Sequence, residues 1–299
     1  MFSRMFGNYL VQKGYISSEK YQQITEKIES SRVKLGLIAV AEGYMTKQQA
    51  DEINRIQAVE DKRFGDIAIE KKYLSKEGLE DVLSKQGDRY LALLQNVVEN
   101  TDITLEKMED IVDAYKMELN CDEEEFSMMR AGDMDVILAK TLKTHNPNLL
   151  YITGLVVRNI VRFITTDIVV DKVKSVKEYN AKYFAYQNLV GEIAACLGFA
   201  SEEDGILVVA SKYAREEFTE VDEDSYDAVC EFINCINGLF ATKFSAERVN
   251  VDMLPPLYKT DATITVPEGD IYVVDMKIDN KKMSVVFSLH ADTSVVYEE

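Results

Sequence analysis

The sequence predicts two kinds of domain in succession: an all-α domain of helical repeats, then a domain of α+β or α/β class in which helices lie on a sheet. Two observations support this prediction. The chain repeats with a period of 29 residues up to about residue 120, and from about residue 146 it mixes long apolar segments with alternating ones. With 299 residues, 46% of them hydrophobic, it is long enough to fill two cores.

Four matched units make up the repeat domain, which we assign to residues 1–120. A glycine recurs at Gly7, Gly36 and Gly65. A hydroxyl residue suited to cap a helix N-terminus recurs at Ser17, Thr46, Ser75 and Thr104. Each unit therefore predicts a short helix, a tight break and a capped second helix, and such hairpins stack because each buries its apolar face on its neighbour.

The break inside each unit is the place where a helix C-cap favours a residue in the left-handed conformation. It falls at Gly14, Gly43, Lys72 and Thr101. The periodicity fades after about residue 120, and residues 121–145 are predicted to form a helical connector made of a charged turn and one helix.

The second domain is assigned to residues 146–299 and begins with a long apolar helix over about 148–168. The segment that follows, KYFAYQNLVGEIAACLGFA, alternates and breaks near residues 188–191, which is typical of a hairpin or two adjacent strands. A helix with Ser201 as its N-cap comes next.

Another helix is predicted over about residues 224–245, and the chain ends in strands. Beyond Pro255 and Pro256 come three runs rich in β-branched residues, DATITV, DIYVVDMKI and KKMSVVFSL. The last two are joined by a turn at Asp279 and Asn280. This order of elements is what places helices on a sheet.

The charge balance excludes several classes of partner. The chain has 52 acidic against 34 basic residues, a net charge of −18, which disfavours nucleic acid and anionic membranes and fits a protein partner with a basic rim. The longest apolar segment is interrupted by Arg158 and Arg162, which predicts a buried helix and no membrane insertion. Because no signal segment is evident either, we expect a cytoplasmic protein.

The usual catalytic residues are missing. The four cysteines have no paired spacing and are expected to be reduced and mostly buried thiols; they are Cys121, Cys196, Cys230 and Cys235. The two histidines, His145 and His290, cannot make a histidine-rich metal site and are interpreted as incidental. Phosphate-binding glycine motifs and nucleophile elbows do not occur, so no metal or cofactor is expected on this chain.

One polar stripe stands out in DAVCEFINCING, residues 227–238. Asp227, Glu231, Asn234 and Gly238 are spaced by four, three and four residues, which places them on one line of a helix whose opposite face is apolar. Exposed acids often only solvate a helix. A glycine inside a helix, however, costs about 1 kcal/mol relative to alanine, and it suits a helix that another protein's backbone approaches closely.

These residues carry a family resemblance. The pattern Asp227-x3-Glu231-x2-Asn234-x21-Pro256 resembles the signature of the CheC/CheX class of response-regulator phosphatases, and the order of elements over residues 146–299 is similar too. The resemblance implies an α+β fold with helices on an antiparallel sheet. Because the leading helix lacks a second Glu-x-x-Asn, the single motif resembles CheX, and a homodimer is expected from the family.

The resemblance implies hydrolysis of the aspartyl phosphate on a CheY-like receiver domain. Glu231 would bind a lysine of the receiver and Asn234 would orient the attacking water, while Asp227 belongs to the motif and Pro256 is structural. The receiver supplies the Mg²⁺, so this chain needs no bound cofactor. Asn237 adds a polar group near the site, either as a second water ligand or, as we favour, without a function.

The repeats resemble the N-terminal modules of type II secretion and pilus-assembly ATPases, some of which bind cyclic di-GMP. Lys34 and Arg63 would be the anion contacts here, but a targeting or regulatory arm is the favoured interpretation. Two alternatives to the phosphatase therefore stay open: a non-catalytic scaffold that docks on a receiver, and a cyclic di-GMP effector.

Overall fold

The computed structural model describes residues 1–28, 32–57, 59–60, 62–144, 146–289 and 293–297. Its contacts divide the chain into two compact units, residues 2–120 and residues 121–299, with Met1 counted in the second. His145 and His290 lie outside the described residues.

The described part of the first unit is entirely helical. Its α-helices are α1 (Phe2–Gln12), α2 (Ser18–Ile28), α3 (Leu35–Ala41), α4 (Lys47–Gln57), α5 (Phe64–Glu70), α6 (Lys76–Ser84), α7 (Arg89–Asn100) and α8 (Leu105–Leu119), with a 3₁₀ turn at Lys85–Gly87. Two helices correspond to each predicted repeat, so the helical-repeat prediction is confirmed.

The predicted N-caps all accept a hydrogen bond from the backbone N–H three residues later. The oxygen–nitrogen distances at Ser17, Thr46, Ser75 and Thr104 are 3.1, 3.3, 3.0 and 3.3 Å. These bonds satisfy N–H groups that an α-helix leaves unpaired at its first turn. The sequence therefore defines where the second helix of each hairpin begins.

The predicted breaks are left-handed in three units and extended in the fourth. Gly14 and Gly43 both have a φ of 73° and Lys72 a φ of 60°, whereas Thr101 has a φ of −137°. The prediction for Thr101 is therefore wrong. Its hydroxyl donates to the Val97 carbonyl at 2.7 Å and accepts from the Ile103 N–H at 3.1 Å, which ends the helix without a left-handed residue.

The repeated glycines allow the two helices of a hairpin to lie close together. A Cβ atom at Gly7 would come within 2.3 Å of the Tyr21 ring, and one at Gly65 within 2.7 Å of a Leu79 methyl group. Tyr21 and Leu79 are themselves two repeat lengths apart (79 − 21 = 58). The glycines at Gly7 and Gly65 therefore make equivalent inter-helix contacts in different repeats.

The second unit consists of helices on one antiparallel sheet. The helices are α9 (Glu123–Ala131), α10 (Met134–Leu142), α11 (Pro147–Phe163), α12 (Glu203–Ala214) and α13 (Glu223–Ala246). The strands are β1 (Ile168–Val176), β2 (Glu178–Gly191), β3 (Ala195–Ser201), β4 (Val251–Met253), β5 (Leu257–Thr265), β6 (Ile271–Ile278), β7 (Lys281–Ser288) and β8 (Ser294–Tyr297). Their order is β1-β6-β7-β3-β2-β5-β8, and β4 also pairs with β2. The α+β prediction is confirmed.

The segment predicted to hold one connecting helix holds two. Gly132, with a φ of 91°, ends α9, and Asp133 caps α10. Leu138 and Leu142 of α10 are buried in the same core as α11 and the sheet. The charged segment predicted to be a turn is itself helix α9, which its acidic first turn concealed because only Phe126 and Met129 of this helix are buried.

Two boundaries also differ from the prediction. Helix α11 ends at Phe163, and the residues from Ile168 onward form β1, a strand the sequence did not reveal because its first residues continue an apolar run. The N-cap of α12 is Glu202, whereas Ser201 is the last residue of β3. Among the described residues, no helix has the length and apolarity needed to cross a membrane.

Helix α13 is held on the sheet by its apolar face. Phe232 and Ile233 are fully buried, and the Phe232 ring stacks on Phe199 of β3 with ring centres 5.7 Å apart. The helix begins with a capping box in which Asp222 accepts from the Ser225 N–H and Ser225 accepts from the Asp222 N–H, both at 2.9 Å. These contacts fix the rotation of α13 and therefore the face that it presents outward.

Replacing Asp222 with alanine should lower the free energy of unfolding, and the loss should depend on pH. Hydrogen bonds from Ser225 lower the pKa of Asp222 below its ordinary 3.8, so its stabilisation is full above that pH and is lost as the pH falls through the lower folded-state pKa. Urea unfolding at pH 7 and pH 3 should show the gap between wild type and Asp222→Ala narrowing in acid, with Asp222→Asn as an uncharged capping control. A gap that is the same at both pH values would contradict this.

Candidate functional site

The polar stripe lies on the outer face of α13. Asp227, Glu231 and Asn234 are exposed, and Gly238 is partly exposed one turn farther along. The opposite face of the helix is in the core. The structure therefore brings together the four helical residues that the sequence singled out, on a surface that a partner can reach.

Gly238 has open space above it. A Cβ atom built there would have no neighbour within 4 Å apart from the local helix backbone, unlike the glycines of the repeats. Packing inside this chain therefore gives no reason for a glycine at this position. The open space would let another molecule approach the helix backbone closely at Gly238.

A buried glutamine of β2 lies directly beneath the stripe. The side-chain nitrogen of Gln187 donates to the Asn234 side-chain oxygen and to the Leu254 carbonyl, both at 2.8 Å. The side-chain oxygen of Gln187 accepts from the Asn237 amide at 2.9 Å. Sequence reasoning missed Gln187, and the only signal for it was a polar residue inside an otherwise alternating strand.

Asn237 is a support for this cluster and not a surface ligand. It is 1% exposed, and its amide nitrogen bonds only inward, to Gln187. Its side-chain oxygen has no hydrogen-bond partner in the described part of the chain. Asn237 is therefore out of reach of a solvent-side water, in agreement with the interpretation that it is not a second water ligand.

The two prolines interrupt the strand that borders the site. Pro255 and Pro256 separate β4 from β5, both of which pair with β2. Proline has no N–H to donate to a ladder, so the pairing breaks here after the Leu254 N–H has bonded to the Asn188 carbonyl at 3.0 Å. The break leaves the Leu254 carbonyl free to accept from Gln187, and the structural role of Pro256 stays a prediction from the resemblance.

An apolar rim borders the stripe on the β4–β5 side. Leu254, Leu257 and Tyr258 are 43%, 47% and 37% exposed. The Tyr258 ring stacks on Tyr226 of α13 with ring centres 4.0 Å apart. Exposed apolar side chains beside a polar line are typical of a protein-docking surface.

The thiol of Cys230, next to Asp227 on α13, is not an activated nucleophile. Burial raises the pKa of Cys230 to about 11, with the Asp227 carboxylate as a second cause. A thiol with that pKa stays protonated at neutral pH. None of the four cysteines is in a disulfide; two of them are buried, Cys121 is partly buried, and Cys235 is exposed on α13.

Part of the second unit matches a family model. Residues 183–277 match the family model described as chemotaxis phosphatase CheX, a range that contains Gln187, Glu231, Asn234 and Pro256. The C-terminal half of the chain contains a CheX-like domain. The search of curated proteins found no match.

Solved structures of CheX and CheC proteins are similar to the chain over slightly less than half of its length. CheX from Desulfovibrio desulfuricans has 14% identity over 46% of this chain and 96% of its own, with a TM-score of 0.41. A CheC-like protein from Shewanella sp. PV-4 has 17% identity over 48% and 97%, with a TM-score of 0.42. A chain of the CheX–CheY–BeF₃–Mg²⁺ complex from Borrelia burgdorferi has 20% identity over 49% and 96%, with a TM-score of 0.37.

Outside the CheX-like domain, one of the two candidate anion contacts of the repeats lines a groove that the other does not line. Lys34 lines a groove of about 560 Å³ and its ammonium pairs with Glu99 at 2.6 Å, whereas Arg63 does not line that groove. Asp51 lies in the same groove. The two carboxylates of the groove, Asp51 and Glu99, balance its two lysines, Lys34 and Lys47, so its charges do not select a phosphate. None of the matches reported above supports the resemblance of the repeats to secretion ATPases.

Proposed function

We propose that the CheX-like domain hydrolyses the aspartyl phosphate of a CheY-like receiver domain. The observation that carries the proposal is the exposed pair Glu231 and Asn234 on one face of α13, within the segment that matches the CheX family. The repeats act as a targeting or regulatory arm in this proposal, and a homodimer remains a prediction from the family.

The chemistry needs little from this chain. A water molecule attacks phosphorus, the bond from phosphorus to the receiver's aspartate oxygen breaks, and inorganic phosphate and the carboxylate are released. The receiver's Mg²⁺ offsets the phosphoryl charge, and the loose transition state depends on positioning more than on acid or base strength. Asn234 would hold the water in line, which raises its effective concentration at phosphorus.

Glu231 would recognise the receiver by charge. Its exposed carboxylate lies one turn before Asn234, so an ammonium bound to Glu231 would place the phosphoryl group near the Asn234 amide. The net charge of −18 favours encounter with a partner whose docking face is basic. The apolar rim of Leu254, Leu257 and Tyr258 would supply the desolvated part of the contact.

The test is the decay of a phosphorylated receiver from the same organism, in Mg²⁺, with and without the full-length protein. Several receivers labelled with radioactive phosphate from acetyl phosphate would be compared, and release of inorganic phosphate would be followed. Faster release with a cognate receiver supports the proposal. Unchanged release together with measurable binding to every cognate receiver would overturn it and favour the scaffold.

Replacing Gly238 with alanine should strengthen the fold and weaken the partner interaction. The free energy of unfolding should rise by about 1 kcal/mol because alanine is the better helix former and its methyl group meets open space. Affinity for a receiver carrying BeF₃⁻ and Mg²⁺ should fall because the methyl group separates the two surfaces. Urea unfolding and calorimetric titration would measure the two effects, and a more stable variant with unchanged affinity would show that no partner backbone approaches Gly238.

A further inference from the structure

We infer that Gln187 is a positioning residue that fixes which edge of the Asn234 amide faces the partner. The inference rests on the proposed function, in which Asn234 holds the attacking water. It goes further because it assigns a task to a buried residue of β2 that never touches the receiver. Three groups far apart in the sequence carry it: the Leu254 carbonyl, the Gln187 amide and the Asn234 amide.

The Leu254 carbonyl sets the orientation of Gln187. A backbone carbonyl can only accept a hydrogen bond, so the atom of Gln187 that lies 2.8 Å from it has to be the nitrogen. Turning the amide over would bring two oxygens into contact with no proton between them. For an isolated glutamine the assignment of the side-chain nitrogen and oxygen is ambiguous. Here the Leu254 carbonyl determines it, because a carbonyl only accepts hydrogen bonds.

The orientation of Gln187 then sets that of Asn234. The second N–H of Gln187 points to Asn234, which has to accept it with its side-chain oxygen. The outward edge of Asn234 therefore presents both of its N–H groups and one remaining oxygen lone pair. That edge can donate a hydrogen bond to the oxygen of a water molecule and accept one from a hydrogen of the same water. Two such bonds fix the orientation of the water, and therefore the direction of the lone pair that attacks phosphorus.

Burial makes this orientation rigid. Gln187 is 1% exposed, so no solvent molecule replaces a bond that the pair gives up. An exposed asparagine on a helix samples several rotamers. If Asn234 is already held in one rotamer, its conformational entropy is not lost again when the receiver binds and reacts. The third contact, from Asn237 to the oxygen of Gln187, lies away from Asn234, whose orientation follows from the Leu254 and Gln187 bonds alone.

The variant Gln187→Met tests the inference. Methionine keeps the length of the side chain and removes both hydrogen-bonding groups. We expect the maximal rate of receiver dephosphorylation to fall about tenfold, a loss typical of removing an outer hydrogen-bond partner, while the receiver concentration at half-maximal rate stays the same. Asn237→Leu is the matched control, because it unpairs Gln187 on the far side and leaves the bond to Asn234 in place.

A purely structural role predicts something else. If Gln187→Met and Asn237→Leu lower the maximal rate in proportion to their losses of stability in urea, the inference is overturned. If Gln187→Met leaves the rate unchanged, it is overturned as well. A rate loss in Gln187→Met that exceeds that in Asn237→Leu at equal stability supports it.

A second readout separates this inference from the proposed function. In the full-length protein labelled with ¹⁵N asparagine, the side-chain NH₂ group of Asn234 should be ordered on the nanosecond timescale in wild type and in Asn237→Leu, and mobile in Gln187→Met. This measurement needs no receiver and no activity. An ordered Asn234 in Gln187→Met refutes the positioning role, whereas a mobile one supports it even if the protein hydrolyses no aspartyl phosphate.

Discussion

Replacing Asn234 with alanine is expected to reduce the acceleration of receiver dephosphorylation by about 10²-fold while leaving receiver binding nearly unchanged. The amide lies on the exposed face of α13, and its contact with a buried side chain is the hydrogen bond from Gln187, so its loss removes the water-holding group and leaves one N–H of Gln187 unpaired. Single-turnover release of phosphate at saturating protein measures the chemical step, and titration with a BeF₃⁻-loaded receiver measures binding.

Two variants make the result specific. Asn234→Asp keeps the shape and places a negative charge beside the phosphoryl group, so it should be as inactive as alanine. Cys235→Ser changes the neighbouring exposed residue of the same helix and should retain nearly full activity. If Asn234→Ala retains wild-type turnover, Asn234 does not hold the water.

Replacing Glu231 with glutamine is expected to act on recognition. The amide keeps the size of the side chain and loses the charge that would pair with the receiver's lysine, so the receiver concentration at half-maximal rate should rise roughly tenfold and the maximal rate should change little. Salt screens the attraction that the variant loses. The difference from wild type should therefore shrink as the ionic strength rises from about 0.05 to about 0.5 M, because the Debye length shortens over that range.

The matched control is Glu203→Gln, an exposed acid of α12 in the same domain and off the stripe. Glu203→Gln changes the net charge by the same one unit as Glu231→Gln. It therefore measures how far the overall charge of the protein, without a specific contact, affects the receiver concentration at half-maximal rate. Equal effects of the two variants would mean that only overall charge matters and that Glu231 has no specific partner.

Local patterns were the part of the fold that the sequence could predict. The caps from Ser17 onward and the helix around Glu231 are each set by residues within one or two turns, and the 29-residue period repeats one such local pattern along the chain. The same locality explains the errors. Thr101 ends its helix with side-chain hydrogen bonds in place of a left-handed residue, and β1 begins inside an apolar run that has no internal marker of the change.

The support of the candidate site could not be predicted in this way. Gln187 meets Asn234 across 47 residues and Leu254 across 67, and neither separation leaves a periodic trace in the sequence. A polar residue within a strand has two possible faces, and only the register of the sheet decides between them. Here the register turns Gln187 toward α13, where a solvent-facing glutamine would have been the ordinary expectation.

The pairing of one long strand with two successive partners has a consequence for the order of folding. Helix α13 can form early because its contacts are local, but the Leu254 carbonyl reaches Gln187 only after β4 and β5 have both closed on β2. A shift of that closure by one residue would displace the Leu254 carbonyl from Gln187, and it would leave a helix with an intact Glu-x-x-Asn above a glutamine whose orientation is no longer fixed. The hydrogen-bonded support under Asn234 is therefore complete only when the sheet is complete. A folding intermediate that already has α13 would still lack this support.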